Sequence, residues 1–327
     1  MSERLIGELK SSPVVKRYEG NPVLSAGDVP YPAKLVFNAG VTKYQGKYVM
    51  VFRNDFGPAD EQRLTGTNMG LAFSDDGIKW RVEPKPCFAM EDDEILRAYD
   101  PRLTVIDGRC YMCFAVDTRH GLLGGIAVTD DFSKFEVLTL SVPDNRNMAL
   151  FPELINGKYV RLERPFQMYN HPGHRFDIWI SDSPDLKYWG NSKLLLGCER
   201  VDYCNDKIGP AAPPIKTRKG WLTVFHAVDA DPARGKNGWG AVWQKRYTAG
   251  IMLLDMDDPS KIVGFCEEPL MAPEAPYEVD GGFRNNVIFP GGMVLEDSGE
   301  VKIYYGAADT VECLATAHVD DLLKLCA

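Results

Sequence analysis

Charged and amide side chains stand at matching places along this 327-residue chain. Asn38 and Arg53 flank one pair of short apolar runs, Asp100 and Asp117 the next, and Glu153 and Arg164 a third. Lys207, His226 and Asp229 follow, then Asn285, Asn286 and Asp309, while Asn145-Arg146-Asn147 precedes the third pair. Carboxylates accept hydrogen bonds from hydroxyl groups, and the guanidinium fork of arginine matches the oxygens of phosphate. Gathered into one funnel, these residues would bind sugar hydroxyls beside an anion. Scattered on hairpin ends, they would be solvated charges and nothing more. The difference lies in the elements that carry them.

Those elements repeat. A glycine-bearing turn followed by alternating aromatic and aliphatic residues appears as Gly46-Lys-Tyr-Val-Met-Val-Phe-Arg53 and Gly108-Arg-Cys-Tyr-Met-Cys-Phe-Ala115. It returns as Gly157-Lys-Tyr-Val-Arg-Leu-Glu-Arg164, Gly220-Trp-Leu-Thr-Val-Phe-His226 and Gly299-Glu-Val-Lys-Ile-Tyr-Tyr-Gly306. An apolar run precedes each copy (38–44, 101–106, 150–155, 210–215 and 287–295), so each unit reads as a β-hairpin. A second phrase, a strand entering an acidic turn, follows each hairpin: Gly70-Leu-Ala-Phe-Ser-Asp-Asp-Gly, Gly125-Ile-Ala-Val-Thr-Asp-Asp-Phe and Asp177-Ile-Trp-Ile-Ser-Asp-Ser-Pro. Drifted versions begin at Gly250 and Thr316.

Two phrases in the same order five times, without helical periodicity between them, predict an all-β five-bladed β-propeller. The whole chain, 1–327, is expected to form one propeller domain, with residues 1–32 as an arm lying over it or reaching a neighbouring subunit. The first strand of each blade would line the central channel. Insertions in blades 1, 3 and 4 are expected to shape one face.

Composition narrows the partners. A net charge of −9 argues against nucleic acid or an acidic membrane surface. No run reaches the ~20 apolar residues of a membrane helix, and nothing near Met1 reads as a secretory leader, so a cytoplasmic location is expected. The eight cysteines lack the density of a disulfide scaffold. Cys110-x-x-Cys113 lies in a strand-like run and reads as buried thiols. No metal ligand set or organic cofactor is implied; His171 and His174, in a Pro-Gly loop, read as substrate-site lining.

Several stretches together carry a resemblance: FNAGV around Asn38, VFRND around Arg53, Tyr99-Asp-Pro-Arg102, Asn145-Arg-Asn147, Leu150-Phe-Pro152, INGKYV, Arg164-Pro165, Lys207-Ile-Gly209 and YYGAAD. In that order, from about Asn21 to Leu325, they resemble glycoside hydrolase family 130, which comprises β-mannoside phosphorylases and a smaller group of β-mannosidases on five-bladed propellers. The resemblance implies that Asp100 is the proton donor, acting through a hydroxyl of the bound mannose. It assigns phosphate to Arg146, Asn147, Arg164, Lys207, His226 and Tyr247. Asn38, Arg53 and Asp309 would hold the mannose whose anomeric carbon reacts.

The chemistry agrees with that assignment. An inverting hydrolase needs a carboxylate base roughly 6.5–9.5 Å from the acid, whereas phosphate is already an anionic nucleophile and needs only cations to hold it in line. The expected reaction is therefore phosphorolysis to α-mannose 1-phosphate and a shortened sugar, with phosphate as co-substrate. Two departures from the β-1,4-mannooligosaccharide branch, Glu153 and the segment Phe166-Gln-Met-Tyr-Asn-His171, lean the linkage toward β-1,2. Glu153 read as a water-activating base keeps a β-mannosidase as the alternative, and a propeller that binds glycans without chemistry is a third reading. Family members often assemble, and residues 1–32 and 229–245 are the candidate contacts of a homo-oligomer.

Overall fold

Alternation along the middle strands decides the architecture. In Tyr48–Phe52, Val49 and Val51 enter one apolar cluster and Tyr48, Met50 and Phe52 enter another, and every one of them is buried. A strand apolar on both faces must lie in a sheet covered on both sides. Five such sheets standing around an axis, each packed against two neighbours, satisfy that requirement.

The computed structural model describes residues 5–166, 176–240 and 242–327, and it is a five-bladed β-propeller. After a short strand β1 (Lys16–Arg17), blade 1 is β2 (Leu35–Tyr44), β3 (Lys47–Phe56), β4 (Gly66–Ser74) and β5 (Arg81–Val82). Blade 2 is β6 (Ile95–Ile106), β7 (Arg109–Thr118), β8 (Gly121–Thr129) and β9 (Glu136–Leu140). Blade 3 is β10 (Asn145–Leu150), β11 (Tyr159–Pro165), β12 (Ile178–Ser183) and β13 (Gly190–Leu196). In blade 4 the inner strand is split into β14 (Lys207–Pro210) and β15 (Ile215–Thr217), both paired with β16 (Gly220–Ala230), which continues to β17 (Lys245–Leu254) and β18 (Ile262–Phe265). A one-turn helix α1 (Pro276–Val279) leads into blade 5: β19 (Ile288–Leu295), β20 (Glu300–Ala307) and β21 (Val311–His318). All neighbouring strands are antiparallel.

The ring closes through the N-terminal segment. β1 pairs with β21 (Lys16↔Thr316, Arg17↔Ala315), so the start of the chain supplies the outermost strand of its last blade. Five apolar clusters fill the five gaps between blades. The first three hairpins turn on Gln45-Gly46, Asp107-Gly108 and Asn156-Gly157, where both residues have positive φ, the two-residue geometry that follows strand twist.

Two sequence expectations need correction. The run beginning at Thr316 is not a full strand-and-turn phrase: β21 ends at His318, whose ring caps helix α2 (Val319–Leu325), and Leu322 and Leu323 enter the core between blades 4 and 5. The inner strand of blade 3 starts at Asn145 rather than Leu150. Cys110 and Cys113 point into different inter-blade clusters, because residues three apart on a strand face opposite sides. Among the described residues no helix is long and apolar enough to cross a membrane.

Candidate active site

The inner strands are not regular. In β2 the ladder to β3 skips between Phe37 and Gly40, in β6 between Tyr99 and Arg102, in β10 between Arg146 and Ala149, and in β19 between Pro290 and Gly292. Each skip is a β-bulge, which re-aims a side chain and leaves a backbone group outside the ladder. In blades 1 to 3 the bulged residue is Asn38 (φ 52°), Asp100 (φ 54°) and Asn147 (φ 57°). Asn and Asp tolerate this left-handed backbone better than other residues with a Cβ. The same device, in three blades, turns an amide, a carboxyl and a second amide into the axial mouth.

They enter one cavity of about 390 Å³, which Arg53, Asp117, Arg146, Arg164, Lys207, His226, Tyr247 and Asp309 also line. Every residue assigned a role by the resemblance therefore faces a single space. On the blade 1–2 side, Asp100 Oδ1 accepts from Asn38 Nδ2 at 3.0 Å and lies 3.3 Å from Arg53 Nη1. Arg53 is itself fixed by a two-point bond to Asp55 (3.0 and 2.7 Å) and lies over the rings of Phe37 and Tyr99. Burial pushes the Asp100 carboxyl up, but Arg53, Arg102, the Asn38 hydrogen bond and Arg146 override it and hold it below the ordinary value. Asp309, paired with Arg284 at 3.2 Å, is pushed up by burial.

The blade 3–4 side is cationic. Arg164 is fully buried and its Nη1 lies 2.9 Å from His226 Nε2. Arg146 Nη1 donates to the Tyr99 hydroxyl at 2.8 Å, and Lys207 lies over the Tyr247 ring. Arg146 Nε, Arg164 Nε and Nη2, and His226 Nδ1 are buried with no hydrogen-bond partner among the described residues. Burial, aided by Arg164 and Lys245, lowers Lys207 to about 6. Burial and Arg146 lower Arg164 to about 9, and burial with Arg164, Lys207, Arg102 and Arg146 holds His226 well below its ordinary value. Basic groups that depress one another and keep unpaired N–H groups have the chemistry that suits an anion.

Four of the mouth residues read from sequence do not reach this cavity. Glu153 lies three residues past the end of β10, at the other end of the propeller, where it is half-exposed and pairs with Lys216 at 2.5 Å. The earlier start of β10 carries it there, so it is not a base at this site. Asp229 is buried between Arg246 (2.8 Å) and Arg234. Asn285 accepts from the Gly282 amide, and the Asn286 amide donates to Glu278 O, so both shape the loop that bears Arg284. Of the segment singled out after Arg164-Pro165, residues 167–175, with His171 and His174, lie outside the described residues.

Other lining residues had no reading in the sequence. Asp55 sits two positions from Arg53 on the same face, a spacing that signals a partner. Tyr99 joins Arg146 to Asp117, whose Oδ1 accepts its hydroxyl proton at 2.6 Å, and Arg97 donates to the other Asp117 oxygen at 2.7 Å. Trp243 comes from the connection between β16 and β17 and Arg284 from that between α1 and β19, neither of which carries a periodic pattern; Arg284 lies 4.5 Å over the Trp243 ring, which also stacks on Tyr247.

Fold and cavity together define a five-bladed propeller with a deep axial pocket, acidic and amide-lined on one wall and cationic on the other. The chain belongs to glycoside hydrolase family 130: the family profile described as beta-1,4-mannooligosaccharide phosphorylase matches residues 10–327. It is 33% identical to a beta-1,4-mannooligosaccharide phosphorylase of Ruminococcus albus, over 95% of this chain and 90% of the relative. It is equally 33% identical to a 1,2-beta-oligomannan phosphorylase of Thermoanaerobacter sp. strain X514, over 94% of this chain and 98% of the relative. The structure of a beta-1,2-mannobiose phosphorylase from Listeria innocua, in complex with beta-1,2-mannobiose, superimposes with a TM-score of 0.84 at 26% identity, covering 95% and 99% of the two chains.

Proposed function

We propose that this protein is an inverting β-mannoside phosphorylase that converts a β-mannoside and inorganic phosphate into α-mannose 1-phosphate and the shortened sugar. The observation that carries the proposal is the cationic wall, where buried N–H groups of Arg146, Arg164 and His226 have no protein acceptor among the described residues. Phosphate oxygens match those donors, with Lys207, Asn147 and Tyr247 completing the site. Asn38, Arg53 and Asp309 hold the reacting mannose between this wall and Asp100.

In this reading Asp100 supplies the proton that leaves with the departing sugar, passed through a mannose hydroxyl. The cations around an unliganded Asp100 favour its ionised form. A phosphate dianion facing Arg146 cancels part of that field, so the acid gains its proton in the ternary complex, where it is used. The carboxylates Asp55, Asp117 and Asp309 are each held by an arginine, which argues against a free water-activating base and so against the hydrolase. No cofactor enters the scheme.

A β-1,2 linkage is the first to test. Its support is the similarity to two phosphorylases named for β-1,2 substrates; Glu153, at the far end of the molecule, no longer contributes to it. The test is incubation with β-1,2- and β-1,4-mannobiose, with and without phosphate, followed by phosphorus NMR for the sugar phosphate and chromatography for free mannose. Mannose 1-phosphate formed only with phosphate is the expected result, and free mannose formed regardless of phosphate would overturn it. Asp100→Asn should lower turnover by at least ~10³-fold while remaining folded, in line with loss of an essential proton donor.

A further inference from the structure

The bulges that aim Asn38 and Asp100 create a backbone problem that each blade solves differently. A bulge leaves its second residue outside the ladder, and a buried N–H or C=O without a partner costs stability. In blade 2 the second residue is Pro101, which has no N–H to satisfy. The carbonyl of Pro101 accepts from Arg102 Nη1 at 2.8 Å, and the same guanidinium reaches Ala211 O of blade 4 at 2.8 Å. In blade 1 the equivalent residue is Ala39, which does carry an N–H. That N–H donates to Glu312 Oε2 at 3.0 Å.

Glu312 comes from β21, the third strand of blade 5, and is fully buried. A carboxyl group in such a place is costly unless something requires it. Its own backbone pairs with Leu24 of the N-terminal segment in both directions, at 2.9 and 3.3 Å, which fixes where the side chain begins. Blade 5 also closes around the bulge from the other side. A Cβ at Gly306 would collide with Asn38, and one at Gly291 would collide with the Ala39 carbonyl. The Asn38–Ala39 bulge is thus seated in a mould of three blade 5 residues, and Glu312 makes its hydrogen bond.

We propose that Glu312 is a positioning residue for catalysis: by holding the Ala39 N–H it sets the Asn38 bulge, and Asn38 in turn sets the Asp100 carboxyl 3.0 Å away. Glu312 touches neither sugar nor phosphate. It acts through Asn38 on the proton donor, so it belongs to the blade 1–2 wall and not to the cationic wall. This inference rests on the reading of Asp100 as the acid.

The test compares Glu312→Met, of similar volume but without an oxygen acceptor, with Glu312→Gln, whose amide oxygen accepts the same N–H. Steady-state phosphorolysis is measured at a temperature where thermal scans show each variant folded. Glu312→Met should lower kcat by ~10- to 100-fold, the scale of a misplaced reacting group, with KM for phosphate within about two-fold of wild type. Glu312→Gln should recover most of that loss. In a double-mutant cycle, Asn38→Ala with Glu312→Met should lose little more than Asn38→Ala alone, because both act on one contact. A merely structural role would give additive losses, equal damage from Met and Gln, or a raised phosphate KM, and any of these overturns the inference. An active Asp100→Asn would remove both the acid and this proposal, whereas an inactive Asp100→Asn with an unimpaired Glu312→Met removes this proposal alone.

Discussion

At the scale of single residues, the site is organised by charges placed where they are uncomfortable. Lys207 is buried beside Arg164 and Lys245, with Asp206 opposing them, and its amine is lowered to about 6. At pH 7.5 in the empty pocket it is therefore mostly uncharged. An anion bound against it favours the charged form, so phosphate binding takes up a proton, and the apparent affinity for phosphate falls as pH rises above the free-amine value. Titration calorimetry of phosphate in two buffers of different ionisation enthalpy measures that uptake. Wild type should take up more protons at pH 7.5 than Lys207→Met, by a difference approaching ~1 per site. Equal uptake in both proteins would mean that Lys207 does not gain its charge from the anion.

At the scale of elements, the bulged inner strand is the working unit. It demands that neighbouring backbones approach closely, which is why Gly40, just past the blade 1 bulge, faces Pro101 O and Leu103 N of blade 2. A Cβ there would lie 2.9 Å from each. Gly40→Ala should destabilise the protein by about 1–3 kcal/mol through overpacking against backbone and lower turnover by shifting the Asp100 bulge; urea midpoints and kcat check the two effects separately. The hairpins themselves were legible from the sequence because their signals are local: a turn glycine and alternation over a handful of residues. Asn38 and Arg53 are legible because they begin and end such phrases, and Asp100 because it directly precedes one. The bulges were not, since nothing in FNAGV or YDPR announces a skipped ladder bond whose partner lies on another strand. The starting point of β10 is hidden because Met148–Phe151 is apolar throughout, and the earlier start puts Glu153 at the far end instead of the expected mouth. Trp243 and Arg284 reach the site from distant stretches with no periodic pattern, and Glu312 acts from a blade 5 strand whose partner, the Ala39 N–H, lies far off in sequence.

At the scale of the whole molecule, a propeller must keep its first and last blades together, and here one ion pair ties that closure to the pocket rim. Arg17, on β1, bonds Glu278 through both nitrogens that face it, at 2.7 and 3.0 Å, and donates to Ala272 O at 2.7 Å. Glu278 is fully buried in α1 and also accepts from the Tyr305 hydroxyl at 2.9 Å and from the Ala275 amide at 2.9 Å. Its carbonyl takes the Asn286 amide at 2.8 Å, and Asn286 O takes the amide of Tyr247 in the cationic wall at 2.9 Å. The start of the chain is thereby connected, by backbone and side chain, to a residue proposed to touch phosphate. Arg17→Ala leaves the Glu278 charge buried without its cation, a loss of about 3–5 kcal/mol. The expected outcome is a lower urea midpoint with an unchanged slope, because the ring is weakened without a change in the surface it exposes on unfolding. Replacing both partners, Arg17→Met with Glu278→Gln, should restore part of that loss by removing the unpaired charge. A loss below about 1 kcal/mol for Arg17→Ala, the range of an exposed pair, would mean that strand pairing of β1 closes the ring without help from the ion pair.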